Sequence, residues 1–82
     1  MDLMQQWANK EAVKEPVNGS WLYAIAVNIG VDLNGDLWQN IAIQGFGIEK
    51  PINGSWIQAL AVIKYGAEQP VNGSWLQAII EA

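Results

Sequence analysis

The chain has no cysteine, no histidine and no arginine, and its only cations are Lys10, Lys14, Lys50 and Lys64. Each absence removes a class of chemistry. Without Cys or His there is no disulfide and no Cys- or His-ligated metal site. A serine nucleophile has no imidazole to take its proton, and no Ser-Lys pair stands at a spacing that would replace one. Without Arg there is no bidentate phosphate fork. Four lysines among eight acids, a net charge of −4, do not make the basic surface that nucleic acid requires. Long apolar runs are also missing. The longest, Trp21 to Val27, falls far short of the ~20 residues that span a bilayer. Met1-Asp2-Leu3-Met4-Gln5 has neither the basic stretch nor the apolar core of a secretory leader. The expectation is a soluble, cytoplasmic protein with no metal, no cofactor, and neither nucleic acid nor membrane as a partner.

What the sequence does contain is repetition. Asn-Gly occurs at 18–19, 34–35, 53–54 and 72–73. Three copies are nearly identical: Pro16-Val-Asn-Gly-Ser-Trp-Leu, Pro51-Ile-Asn-Gly-Ser-Trp-Ile and Pro70-Val-Asn-Gly-Ser-Trp-Leu. The copy ending Asn34-Gly35-Asp36-Leu37-Trp38 reverses the Trp/Leu order, and Asp2-Leu3-Met4-Gln5 aligns with Asp36-Leu37-Trp38-Gln39 as a fifth. Anchored on Asp2, Ser20, Asp36, Ser55 and Ser74, the units are 18, 16, 19 and 19 residues apart. A period of this kind implies units that pack on their neighbours.

Asn-Gly is the strongest short-range hairpin signal, so periodicity has to decide between helix and strand. Counting from each anchor, the first, second and fifth following residues are apolar in all five units, and the sixth is Ala or Ile. The third is Gln5, Gln39, Gln58 or Gln77 in four units and Tyr23 in the other. At ~100° per residue the apolar positions share one arc and the Gln lies outside it. A strand would place that Gln on the same face as the apolar first and fifth positions. Ser and Asp are preferred N-caps, and Gly30, Gly47 and Gly66 stand where helices end. Pro16, Pro51 and Pro70 bar the preceding helix from running on. Helices are predicted over 2–14, 20–29, 36–45, 55–65 and 74–81.

The seventh position is Val27, Ile43 and Val62 in the middle units but Asn9 and Glu81 in the outer ones. This predicts middle helices buried on two faces and polar outer faces on the terminal pair, the capping pattern of a finite stack. The fold expected is all-α, one domain over 1–82: five short antiparallel helices stacked as a compact, solenoid-like bundle.

Several motifs invite a sharper chemical reading. Asn18, Asn53 and Asn72 fit the Asn-x-Ser glycosylation pattern, but each also reads as a turn followed by a cap. Asp32-x-Asn34-x-Asp36 starts like a calcium loop, yet Leu37 stands where its Gly is required and Ile43 where its bidentate Glu is required. Glu15, Asp32, Glu49 and Glu68 give each connection an acid, which reads as solvated loop charge. A period near 20 with one Trp per unit resembles the choline-binding repeats, but those are hairpins with clustered aromatics, whereas each unit here has essentially one Trp followed by Ala-rich helical sequence. The 34 residues from Asp2 to Asp36 equal a tetratricopeptide unit, but that family's Gly-Tyr and Ala positions are missing.

Five Trp in 82 residues are expected mainly in the core. Trp21, Trp56 and Trp75 lie at the edge of the apolar arc, and with Tyr23 and Tyr65 they form the candidate interaction surface. The functional expectation is a non-enzymatic structural or interaction module that self-associates as a homo-oligomer or binds another protein. The alternative is a small-ligand binder using a Trp-lined groove between helices.

Overall fold

The computed structural model describes residues 2–82. Among them the chain forms five helices and no strand. Helix α1 is Leu3–Lys10 and α2 is Trp21–Ile29. Helix α3, Leu37–Asn40, runs on without interruption as a π-helical segment π1, Ile41–Gly45. In the same way α4, Trp56–Ala59, continues as π2, Leu60–Lys64, and α5 is Trp75–Glu81. Four of the five predicted helices match to within a residue or two. The first stops at Lys10 rather than residue 14, because Ala12 turns left-handed at φ 66° and the chain folds back at Val13.

Every helix starts on the residue that anchors its repeat. The Ser20, Ser55 and Ser74 hydroxyls accept from the amides of Tyr23, Gln58 and Gln77, each at 3.1 Å. Asp2 accepts from Gln5 at 2.8 Å, and Asp36 from Trp38 and Gln39 at 3.0 and 3.3 Å. Such caps satisfy amides that have no partner inside the helix and contribute about 1 kcal/mol each. The Asn-Gly pairs before the three serines are two-residue hairpin turns. Asn18, Asn53 and Asn72 sit at φ near +50° and the following glycines near +74°, the doubly left-handed geometry that Asn-Gly favours. Val17 and Ser20 exchange both backbone hydrogen bonds, at 3.2 and 2.9 Å, as do Ile52 with Ser55 and Val71 with Ser74. The hairpin and helix signals are therefore both real, and one follows directly on the other. The Asn34-Gly35 turn is built differently: Asp32 accepts from the Asn34 amide at 2.9 Å, and the Asn40 side chain donates to the carbonyls of Asp32 and Asn34, both at 2.8 Å.

The helix ends explain the π segments. Past α2, Gly30 at φ 90° lets the Val31 amide reach back to the Ala26 carbonyl at 3.2 Å, and Val31 is buried. Ala12 and Val13 repeat this on Ala8 at 2.8 Å, Gly47 and Ile48 on Ala42, and Gly66 and Ala67 on Ala61, the last two at 2.9 Å. The accepting residue is always the sixth after the anchor. From anchor to left-handed residue there are ten positions in the first two units but eleven in the third and fourth. With both ends held, the extra residue is absorbed as a π turn.

The packing is circular in its contacts: α1 touches α2 and α5, α2 touches α3 and π1, and α4 touches α3, π1 and α5. Neighbours meet like end to like end. A β-carbon built on Gly45, the last residue of π1, would lie 3.0 Å from Ile29, the last of α2. The caps Asp36 and Ser55 line one cleft, and Lys64 at the end of π2 lies 5.1 Å from the Phe46 ring beyond π1. Lys10 at the end of α1 donates to the carbonyl of Ala82, after α5, at 3.1 Å. The expected antiparallel order is corrected at these pairs. The connections are long enough to return the chain to the starting end: Asp32 donates to Gln44 at 2.8 Å and Asp36 then caps the same helix eight residues earlier. The thin dimension of the molecule, 31 × 28 × 16 Å, is about one helix length.

At the centre lie Trp7, Ile25, Ile41, Leu60 and Ile79, one from each helix, all at the fifth position and all 0% exposed. Ala8, Ala26, Ala42 and Ala61 follow them, equally buried, and their small size lets the backbones approach. The prediction from the seventh position fails for two of its three residues. Val27 is 46% and Ile43 40% exposed, so α2 and π1 are not buried on a second face, whereas Val62 on π2 is half-buried; the contact between α1 and α5 takes the place of two capped ends.

Three variants test these stability arguments. Ala12→Gly relieves a left-handed alanine and is expected to stabilise the fold by about 1 kcal/mol, read as a rise in the melting temperature of roughly 5 °C. Deleting exposed Ile63 shortens π2 to an ordinary α-turn and is expected to leave melting nearly unchanged. Deleting Asn28 from α2, which has no residue to spare, should lower it by roughly 10 °C or more.

Candidate interaction surface

The five aromatic residues singled out in the sequence do not share one groove. Trp21, Trp56 and Trp75 each open a helix directly after its serine cap. All three are half-buried and pack on the core cluster. Tyr23 is half-buried on α2. Trp56 lines a cleft of about 290 Å³ between the starts of α3 and α4, together with Asp36, Trp38, Gly54, Ser55 and Ile57. Tyr65 borders a different cleft, about 510 Å³, where the chain after π2 passes the end of α5 near Ala78 and Glu81.

Tyr65 has a structural task. Its hydroxyl accepts from the Trp7 indole N–H at 3.0 Å and donates to a Glu11 carboxylate oxygen at 2.8 Å. Trp7 is fully buried, and its ring lies flat on Trp38 with centroids 5.2 Å apart and planes 2° from parallel. An indole buried so deeply needs a partner for its N–H, and Tyr65 supplies it from just past π2. Burial raises the Tyr65 hydroxyl above its ordinary range. The bond from Trp7 opposes that shift, while the bond to Glu11 and its charge reinforce it.

The acids of the calcium-like segment face inward to the backbone: Asp32 accepts from the amide of Asn34, and Asp36 from those of Trp38 and Gln39. Among the described residues no three Asp or Glu side chains gather where a cation could be held. No helix among them is long and apolar enough to cross a membrane.

The apolar side chains that face solvent most are Ile63 at 58%, Val27, Ile43 and Leu33. Sequence periodicity noticed Val27 and Ile43 but assigned them to a second buried face. An apolar residue off the main stripe reads identically whether a neighbouring helix or water lies beyond it.

Tyr65→Phe leaves the Trp7 N–H without its acceptor and is expected to cost about 1–3 kcal/mol. The same hydroxyl sets an alkaline limit. An unfolded tyrosine ionises near pH 10, whereas native Tyr65 holds its proton to higher pH. Its contribution is therefore whole below about pH 10 and is lost above it at up to about 1.4 kcal/mol per pH unit. Denaturant titrations at rising pH should show this fall in the wild type and a weaker one in Tyr65→Phe. Comparison of the chain with protein-family models, with curated proteins and with solved structures finds no match.

Proposed function

We propose that the protein is a non-enzymatic interaction module in which five equivalent repeat units close on one another to form a rigid platform for protein contacts. The observation that carries this reading is the set of aliphatic side chains left in solvent on α2, π1 and π2. The accessible surface is 4664 Å², and an ordinary monomer of 9.0 kDa exposes ~4,900 Å². By this measure the chain completes its own core, so the exposed aliphatics are surplus to folding and available to a partner. Their association would be weak and concentration-dependent rather than obligate. The partner is a second copy or another protein.

A lack of His, Cys and Arg, with Asp2 and Asp36 engaged in capping, supports a role without catalysis. Light scattering is the direct test of self-association. The weight-average mass should rise above 9.0 kDa as concentration climbs through tens to hundreds of micromolar, roughly the range of weak complexes. A constant monomer mass throughout would leave only a heterologous protein partner.

A second reading rests on the cleft between α3 and α4. Trp38 and Trp56 both line it, and a small ligand seated there would change tryptophan emission. Its volume, about 290 Å³, lies at the small end for ligand sites. A panel of small aromatic and polar compounds that leaves both fluorescence and melting temperature unchanged would retire it.

A further inference from the structure

The third unit departs from the commonest form of the repeat twice, and both departures border one cleft. Where three units cap their helix with Ser20, Ser55 or Ser74, this one uses Asp36, and its Trp stands second after the cap, as Trp38, rather than first. Asp36 and Trp38 line the cleft of about 290 Å³ between the starts of α3 and α4, together with Trp56 and Ile57. Capping does not call for a charge. Ser55, in the same cleft, makes its bond to Gln58 with a neutral hydroxyl at 3.1 Å. Both capping bonds of Asp36, to the amides of Trp38 and Gln39, fall on one of its oxygens, Oδ1, which leaves the second for another partner. Asp36 is exposed, and it is the only charged residue that lines the cleft. Trp7 covers one face of the Trp38 ring, and Trp38 and Trp56 are half-buried.

We infer that this cleft binds a small free organic cation, an alkylammonium ion, with its charge against the Asp36 carboxylate and its alkyl groups against the Trp38 and Trp56 rings. This rests on the ligand-cleft reading above and names the class of the ligand. Indole is the aromatic ring that attracts cations best, and alkylated ammonium groups present both the charge and the apolar surface that such a site can use. The starts of α3 and α4 carry the positive ends of their helices, which by themselves favour an anion. At α3 the Asp36 carboxylate already answers that charge, and no lysine lines the cleft to hold a further anion. An anion would also have to approach a molecule of net charge −4, whose field draws a cation in. A neutral apolar ligand fills the same space but leaves the carboxylate unused. The volume lies at the small end for ligand sites, which suits a compact ion and an affinity of about millimolar.

Probes of one shape and different charge test this: tetramethylammonium, neutral tert-butanol and anionic pivalate. Each is titrated into the full chain at constant ionic strength while the tryptophan indole N–H signals are followed by NMR. Tetramethylammonium should move the Trp38 and Trp56 signals, saturating at roughly millimolar concentration, and leave in place those of Trp21 and Trp75, which lie outside the cleft. Asp36→Ser installs the cap of the other units and should weaken that binding by about threefold or more. Asp36→Asn, which also caps well, is the second probe should Asp36→Ser fail to fold. Trp56→Leu should cost a similar factor through the lost ring. Should tert-butanol or pivalate move the same two signals at as low a concentration, or a folded Asp36 variant bind the cation as tightly as the wild type, the cleft stands as a ligand site and the cation class is wrong. If none of the probes moves those two signals apart from the others, the ligand-cleft reading falls with it.

Discussion

Four of the five helices place an Ile or Leu at the centre of the molecule, and the first places Trp7 there. That one exchange imposes the largest constraint on the rest. A tryptophan ring at the meeting point of five helices must be covered on its faces and satisfied at its N–H. Trp38 from α3 covers a face and Tyr65 beyond π2 satisfies the nitrogen. Helix α1 is thereby tied to two helices that are not its neighbours, besides α2 and α5, which it touches directly. Glu11, just past α1, accepts a hydrogen bond from the Tyr65 hydroxyl and completes a short chain of bonds from the buried indole out toward solvent. Buried polar groups are costly when unpaired and specific when paired, so this chain selects one arrangement of α1 against the other four helices.

Around that centre the units are assembled by local chemistry. A left-handed Asn-Gly pair closes a minimal hairpin, the next residue caps a helix, and the fifth and sixth residues pack inward. A left-handed residue then returns the chain, with its amide successor bonded to the sixth position. None of these helices is long enough to persist alone in water. Each is bounded by two fixed ends and held by its neighbours, which is why an inserted residue appears as a π turn in the third and fourth units. The third unit also shows how the caps tolerate substitution. Asp36 replaces Ser, and the Asp32 and Asn40 side chains build a turn where the left-handed Asn is absent.

The outward face follows from the inward one. Once the fifth and sixth residues of every unit point at the centre, residues seventh or eighth from the cap come to the outer side of α2, π1 and π2, where no further helix covers them. The aromatic residues that open the helices are half-covered by the core, so they offer a partner less than their number suggests. What remains most available is aliphatic.

The element types, the caps, the turns and the identity of the central residues were legible in the sequence, because each depends on neighbours within about ten positions. Ser20, Ser55 and Ser74 cap wherever their helices point, and Ile25, Ile41, Leu60 and Ile79 belong to the apolar arc whatever they pack against. Hairpin and helix looked like alternatives at Asn-Gly only because both signals overlap in a few residues. The relative direction of the helices was not legible. A connection of seven to ten residues can make a tight reversal or travel a helix length back, and tertiary contacts such as those of Gly45 with Ile29 and of Lys64 with Phe46 distinguish the two. The burial of Val27 and Ile43 was undetermined for the same reason. Periodicity reports that a residue is apolar and off the main stripe, and whether another helix or solvent lies beyond it is decided by long-range packing alone.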